Sequence, residues 1–178
     1  MLAGFGEGRA YAGAESDRVG QVKAAVILNI AKFVGWPSGS AALSQRNFML
    51  CYYRADVLGP GVDIILNKRV MGRPLVKKLI ENLEQSESCG VLLIPESELD
   101  HFIAESSEQP EATSVLTIAD LTSKGSKGVA YPGVIMNFVR RDTSIGFEVN
   151  PGELEERGLS MSSELLKLAH IVKASEER

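Results

Sequence analysis

The chain has 178 residues, 44% of them apolar and 24% charged, with a formal net charge of −4. That length suits one well-packed domain and is short for two. The acidic balance offers nucleic acid no global positive field, and no apolar run reaches the roughly 18 residues a membrane-spanning helix needs.

Met1 to Ala14 is small, glycine-rich and weakly apolar. Ala10-Tyr11-Ala12 has the small-x-small form of a signal-peptidase site, but no basic region or apolar core precedes it. Residues 1–18 are therefore expected to form a flexible arm or the remnant of a leader. The folded domain is expected over 19–173, with a charged tail over 174–178. Asp17 suits an N-cap, and Val22, Ala25, Val26, Ile30 and Phe33 recur at helical spacing up to Val34. Ala24, Ile27, Leu28 and Val34 make this helix apolar on nearly every side. It should be buried between layers or against a second copy of the chain, which makes a homodimer one expectation. Gly35 and Pro37 end it, and Ser38 to Arg46 reads as a connector.

Asn47 to Tyr53 reads as a strand, Val57 to Leu66 as a short helix, and Val70 to Ile80 as an extended segment. Gly90 to Ile94 is a continuous apolar run, as in a strand covered on both faces. Pro95 opens a helix to about Ser106. Ser114 to Ile118 is the next strand, and Ala119 to Lys124 reads as a short turn of helix. Gly125, Gly128, Pro132 and Gly133 mark a loop. Val134 to Arg140 and Ser144 to Asn150 form an antiparallel pair around Arg141-Asp142-Thr143. Pro151 to Arg157 is a short helix stopped by Gly158. Ser160 suits the cap of the last helix, where Met161, Leu165, Leu168 and Val172 form a stripe. This order predicts a single α/β sandwich: a mixed, mostly parallel sheet covered by helices, plus a C-terminal hairpin and helix.

Charge is unevenly placed. Nine acidic residues and no Lys or Arg lie between Glu81 and Glu111, whereas Lys68, Arg69, Arg73, Lys77 and Lys78 lie between Ile64 and Ile80 without an acid. Solvated faces explain both runs; a docking surface with acidic and basic halves is the functional alternative.

Few residues suggest chemistry. His101 and His170 have no cysteine or second histidine at ligand spacing, so neither a metal nor another cofactor is expected. Gly4-Phe5-Gly6-Glu7-Gly8 follows no strand and lacks the setting of a nucleotide loop. Ser162 and Ser163 lack a nucleophile elbow, and no catalytic site is expected. Cys51 and Cys89 are the two cysteines. They fit either one disulfide in an oxidising compartment or two buried thiols in a cytosolic domain. A bond would close a loop of about 39 residues, worth roughly 4 kcal/mol in a chain-entropy account. It would act as a staple, or as a redox switch if accessible.

Six stretches stand out in order: Val22-Lys23-Ala24-Ala25 through Asn29, with Ala31-Lys32-Phe33 and Trp36-Pro37; Leu50-Cys51; Gly72-Arg73-Pro74-Leu75; Cys89 with Leu92-Leu93-Ile94; Val115 through Asp120; and Phe147-Glu148-Val149-Asn150 followed by Gly158 through Ala169. Together they resemble the YfiR family. The resemblance runs from about residue 19 to 172. It implies a non-enzymatic periplasmic protein that binds the periplasmic domain of a membrane diguanylate cyclase and represses it, lowering cyclic di-GMP and biofilm. It also implies a disulfide, because Cys51 and Cys89 fall where the family places one pair. A further pair toward the C-terminal half is absent, so a two-bridge switch does not carry over. Pro151-Gly152-Glu153 replaces the small residues usual after Asn150. The expected partner surface is the C-terminal region, with Glu148, Asn150, Leu159, Ser162, Leu165 and Leu168 as contacts, although Leu159, Leu165 and Leu168 also fit a core. A periplasmic small-molecule sensor feeding another membrane receptor or kinase is the competing reading.

Overall fold

A computed structural model describes the backbone of residues 7–109, 113–123, 125 and 127–173, and side chains from residue 15 onward. Helix α1 (Glu7–Phe33) leads through β1 (Val34–Gly35) and α2 (Ala41–Ser44) into β2 (Phe48–Tyr53). Strands β3 (Arg69–Val70), β4 (Arg73–Ile80) and β5 (Val91–Pro95) precede α3 (Leu99–Glu108). Then come β6 (Leu116–Leu121), β7 (Met136–Arg141), β8 (Ser144–Val149) and α4 (Pro151–Glu156). The remaining elements are β9 (Ser160–Met161), α5 (Ser163–Leu168) and β10 (His170–Ile171).

Eight strands form one sheet in the order β10-β8-β7-β6-β5-β2-β4-β3, while β1 and β9 pair separately. Five neighbouring pairs in the large sheet are parallel, and two, β3–β4 and β7–β8, are antiparallel. This is the expected mixed α/β sandwich, mostly parallel and closed by a hairpin.

The period-two alternation of a strand explains how the layers form. Phe48, Leu50 and Tyr52 of β2 join Ile27 and Ile30 of α1 in one buried cluster. Cys51 and Tyr53 of the same strand join Leu99 and Phe102 of α3 in another. Because both faces of β2 and β5 are covered, their sequences read as unbroken apolar runs rather than alternating ones. The apolar circumference of α1 is largely spent within this one chain: Ala24, Ile27, Ile30 and Ala31 are buried, while Val22 and Phe33 remain exposed.

Several boundaries differ from the expectation. Asp17 lies inside α1 rather than at its cap, because the helix begins at Glu7. Gly59-Pro60-Gly61 turns the expected helix over Val57 to Leu66 into a 3₁₀ segment, Gly59–Ile64. Glycine and proline are poor α-helix residues, and the Asp56 carboxylate accepts the Leu58 and Gly59 amides at 2.9 Å to start the tighter turn. Met71 and Gly72 both take positive φ and fold the expected extended segment into the β3–β4 hairpin. Ala119 to Leu121 continue β6 instead of turning, since β5 and β7 flank them and complete the ladder. Ser160 is committed to β9, and Ser162 caps α5 by accepting the Leu165 amide at 3.2 Å. Among the described residues, no helix is long and apolar enough to cross a membrane.

Candidate functional site

Cys51 and Cys89 are joined by a disulfide with their Cα atoms 5.9 Å apart. Cys51 lies within β2, and Cys89 ends the 3₁₀ segment Leu83–Ser88 that leads into β5. Since β2 and β5 are neighbours, with Leu50 opposite Val91, the bond ties adjacent parallel strands whose connection runs through β3 and β4. Both sulfurs belong to fully buried residues in the cluster with Tyr53, Leu92 and Phe102. That burial shields the bond from reductant in the native fold.

The expected contacts near the C-terminus have distinct places. Glu148 is 2% exposed, and its carboxylate accepts a hydrogen bond from Asn137 Nδ2 at 3.0 Å. Asn150 is buried and caps α4, its side-chain oxygen accepting the Gly152 amide. Leu159 and Leu165 belong to the same buried cluster as Ile27 and Ile30 of α1. Ser162 spends its hydroxyl on the α5 cap. These five build and fasten the region from within. Leu168, 75% exposed, is the one of the six that offers a large apolar side chain to solvent, with Ile171 exposed nearby along the chain. The Asn150 cap also explains Pro151-Gly152-Glu153: proline suits the first helical position, and Glu153 favours the helix N-terminus.

Glu153 has a second task. It accepts the Gly133 amide at 2.8 Å and faces Arg157, whose guanidinium donates to the carbonyls of Thr113 and Gly133. Burial lowers the Arg157 pKa from its ordinary value, and Glu153 works against that shift. This knot holds α4 against the loops that enter β6 and β7.

The charged runs flank β4 and α3, and most of their members are exposed. Arg54 connects the end of β2 to α3, with Nε 3.2 Å from Glu98 and Nη1 within hydrogen-bond reach of His101.

One constellation has no trace in the periodicity. Lys23 of α1 reaches Asp120 at the carboxyl end of β6, Nζ to Oδ2 at 2.6 Å, and both residues are buried. The other Asp120 oxygen accepts the Thr122 amide and hydroxyl. By local pattern Lys23 is one polar residue on a helix, and Asp120 falls inside the short helical turn expected over Ala119 to Lys124. Their separation of 97 residues hides the pair from any local pattern. Among the described residues, no group of three or more His, Cys, Asp or Glu side chains is placed to hold a metal.

The sequence pattern of the YfiR/HmsC-like family matches residues 20–170, from Gly20 within α1 to His170 at the start of β10. The chain belongs to the YfiR/HmsC-like family. No curated protein matches it closely enough to name a relative. The YfiR/HmsC-like region contains the sheet from β2 through β8 with the first residue of β10, the disulfide, the Lys23–Asp120 pair, α4 and α5.

Proposed function

We propose that this YfiR/HmsC-like protein is a non-enzymatic periplasmic regulator. It binds the periplasmic sensor domain of a membrane diguanylate cyclase and represses the enzyme, lowering cyclic di-GMP and biofilm formation. Family membership over residues 20–170 carries this reading. The disulfide supports it, because such bonds persist in oxidising compartments such as the periplasm. Contact alone supplies a sufficient mechanism: a cyclase must bring two catalytic domains together, so a regulator need only bind one arrangement of its sensor more tightly.

The C-terminal region is the contact surface in this reading, with exposed Leu168 as its apolar anchor. Burying a leucine side chain of this kind in a partner's pocket contributes about 1.5–3 kcal/mol. The test uses the source bacterium. Deleting the gene should raise cyclic di-GMP, and restoring the exported wild-type protein should lower it. A folded, disulfide-bonded Leu168→Glu variant should fail to lower it. Unchanged cyclic di-GMP on deletion would refute the regulatory role. Full repression by Leu168→Glu would move the contact surface elsewhere.

A further inference from the structure

Two residues, Met71 and Gly72, join β3 to β4, and both take positive φ. That is the backbone of a tight hairpin turn whose first apex position favours Asn, Asp or Gly. Methionine at a φ of +49° has no such local reason to be there. Core packing does not account for it either, since Met71 lies outside both buried clusters and is 38% exposed. The turn accepts local strain and places a flexible apolar side chain in solvent, and outliers of this kind gather at functional surfaces.

The polar groups around the apex are arranged to suit it. Arg69 Nη1 donates to the Gly72 carbonyl at 2.5 Å, and Arg73 Nη1 donates to the Met71 carbonyl at 3.0 Å. Both apex carbonyls therefore have partners within the hairpin. Arg73 also donates to the carbonyls of Leu43 and Gln45, which fixes the hairpin to the end of α2. Arg46 follows Gln45, and Lys68 precedes Arg69; all three cations are exposed. Among the described residues, none of the three pairs with an acid. No acidic residue occurs between Arg18 and Ala55, or between Ile64 and Ile80, the segments that carry these cations.

From this arrangement we infer that the β3–β4 apex is a peripheral contact for an anionic phospholipid surface. Met71 enters the headgroup layer, while Arg46, Lys68 and Arg69 meet lipid phosphates. A lipid interface requires polar backbone groups that are already paired, as the two apex carbonyls are; a protein interface can leave them to bridging water. An acidic protein would match the charges, but a convex two-residue apex offers no groove to enclose its side chains. It would also leave methionine unexplained where Asn or Gly suits the backbone. A second copy of the chain would set the same positive charges against each other. One apolar side chain and three cations make a reversible contact that salt weakens. The inference goes beyond the regulatory role: it sets the protein against the kind of surface in which a membrane enzyme sits.

The test needs neither cyclase nor cell. The intact, disulfide-bonded chain is floated with vesicles of phosphatidylcholine, alone or mixed with phosphatidylglycerol. It should rise with the mixed vesicles, stay behind with phosphatidylcholine alone, and be released by sodium chloride. Met71→Asn supplies a residue that suits the turn, so it should keep or raise the melting temperature while vesicle partition falls about tenfold. An Arg46→Gln/Lys68→Gln variant, changed at two exposed positions, should keep its melting temperature and lose about tenfold or more in partition. Absence of flotation with the anionic vesicles overturns the inference, and so does equal flotation with phosphatidylcholine alone. Undiminished partition in either variant overturns it as well. Saturable NMR shifts of the Met71 and Gly72 amides by soluble polyglutamate, with none by the anionic vesicles, would instead assign the apex to an acidic protein.

Discussion

At the scale of single residues, Tyr52 and Tyr53 show how burial of neighbouring phenols can affect the pH range of a fold. They point to opposite faces of β2, and both are buried. The Tyr52 pKa is raised, first by desolvation and then by the charges of Asp56 and Asp63. That of Tyr53 is raised by burial and by its hydrogen bond to Glu105, with Arg54 partly opposing. Tyr131 shifts the same way, through burial and then the nearby carboxylates. A raised phenol pKa means that the native state holds its proton more tightly than the unfolded chain, whose tyrosines ionise near pH 10. The stabilisation is complete below about pH 10 and is lost as pH climbs through the native value. Alkaline titration should therefore show tyrosinate absorbance rising together with loss of helical circular dichroism. Tyr52→Phe should move that transition upward at little cost near neutral pH, because the Tyr52 hydroxyl is buried without a hydrogen-bond partner among the described residues. Ionisation of all tyrosines near pH 10 in an intact fold would contradict this account.

Among the elements, the β2–β5 staple governs how the sheet responds to reductant. Its sequence separation of 38 residues corresponds to about 4 kcal/mol of constraint on the unfolded chain. The surrounding cluster leaves neither cysteine accessible, so reductant should reach the bond mainly through opening of the sheet. Native protein should resist reduction and alkylation, then react readily once urea unfolds it. A Cys51→Ala/Cys89→Ala variant should lose about 4 kcal/mol in urea unfolding. Rapid reduction of a still-folded protein would show that the bond opens locally and can serve as a fast switch. The two strands that this bond ties together are legible because burial on both faces writes a continuous apolar run into the sequence. Other boundaries were less legible for equally physical reasons. Asp120 looks like a turn residue until Lys23 supplies its partner, and Met71-Gly72 looks like part of one extended segment until positive φ makes the hairpin.

Across the whole molecule, alternation of strand and helix patterns was enough to recover the layered sheet, while contacts between distant segments were not. Cys51 and Cys89 could be singled out because there are two cysteines in the chain. Lys23 has no such rarity, and Leu168 could not be separated from core leucines by spacing alone. Gly20 and Gly61 are another distant pairing. Gly20 sits in α1 and Gly61 in the 3₁₀ segment, where their backbones meet so closely that a Cβ on Gly61 would run into the backbone of Gly20 and Gln21. No side-chain rotation relieves a clash with backbone, so Gly61→Ala must push α1 away. The same helix carries Ile27 and Ile30 into the core and Lys23 to Asp120, which spreads the cost over both packing and the ion pair. Gly59→Ala offers an internal comparison: Gly59 has a φ of +51° but open space around its would-be Cβ. Its replacement should cost about 1–2 kcal/mol from left-handed strain alone. Gly61→Ala should exceed about 3 kcal/mol, beyond ordinary overpacking, because the displaced helix also loosens its polar anchor. Urea unfolding of the two variants separates these effects. Equal losses would mean that α1 can shift freely at this crossing, whereas a larger loss for Gly61→Ala makes the glycine contact the pivot that sets the helix on the sheet.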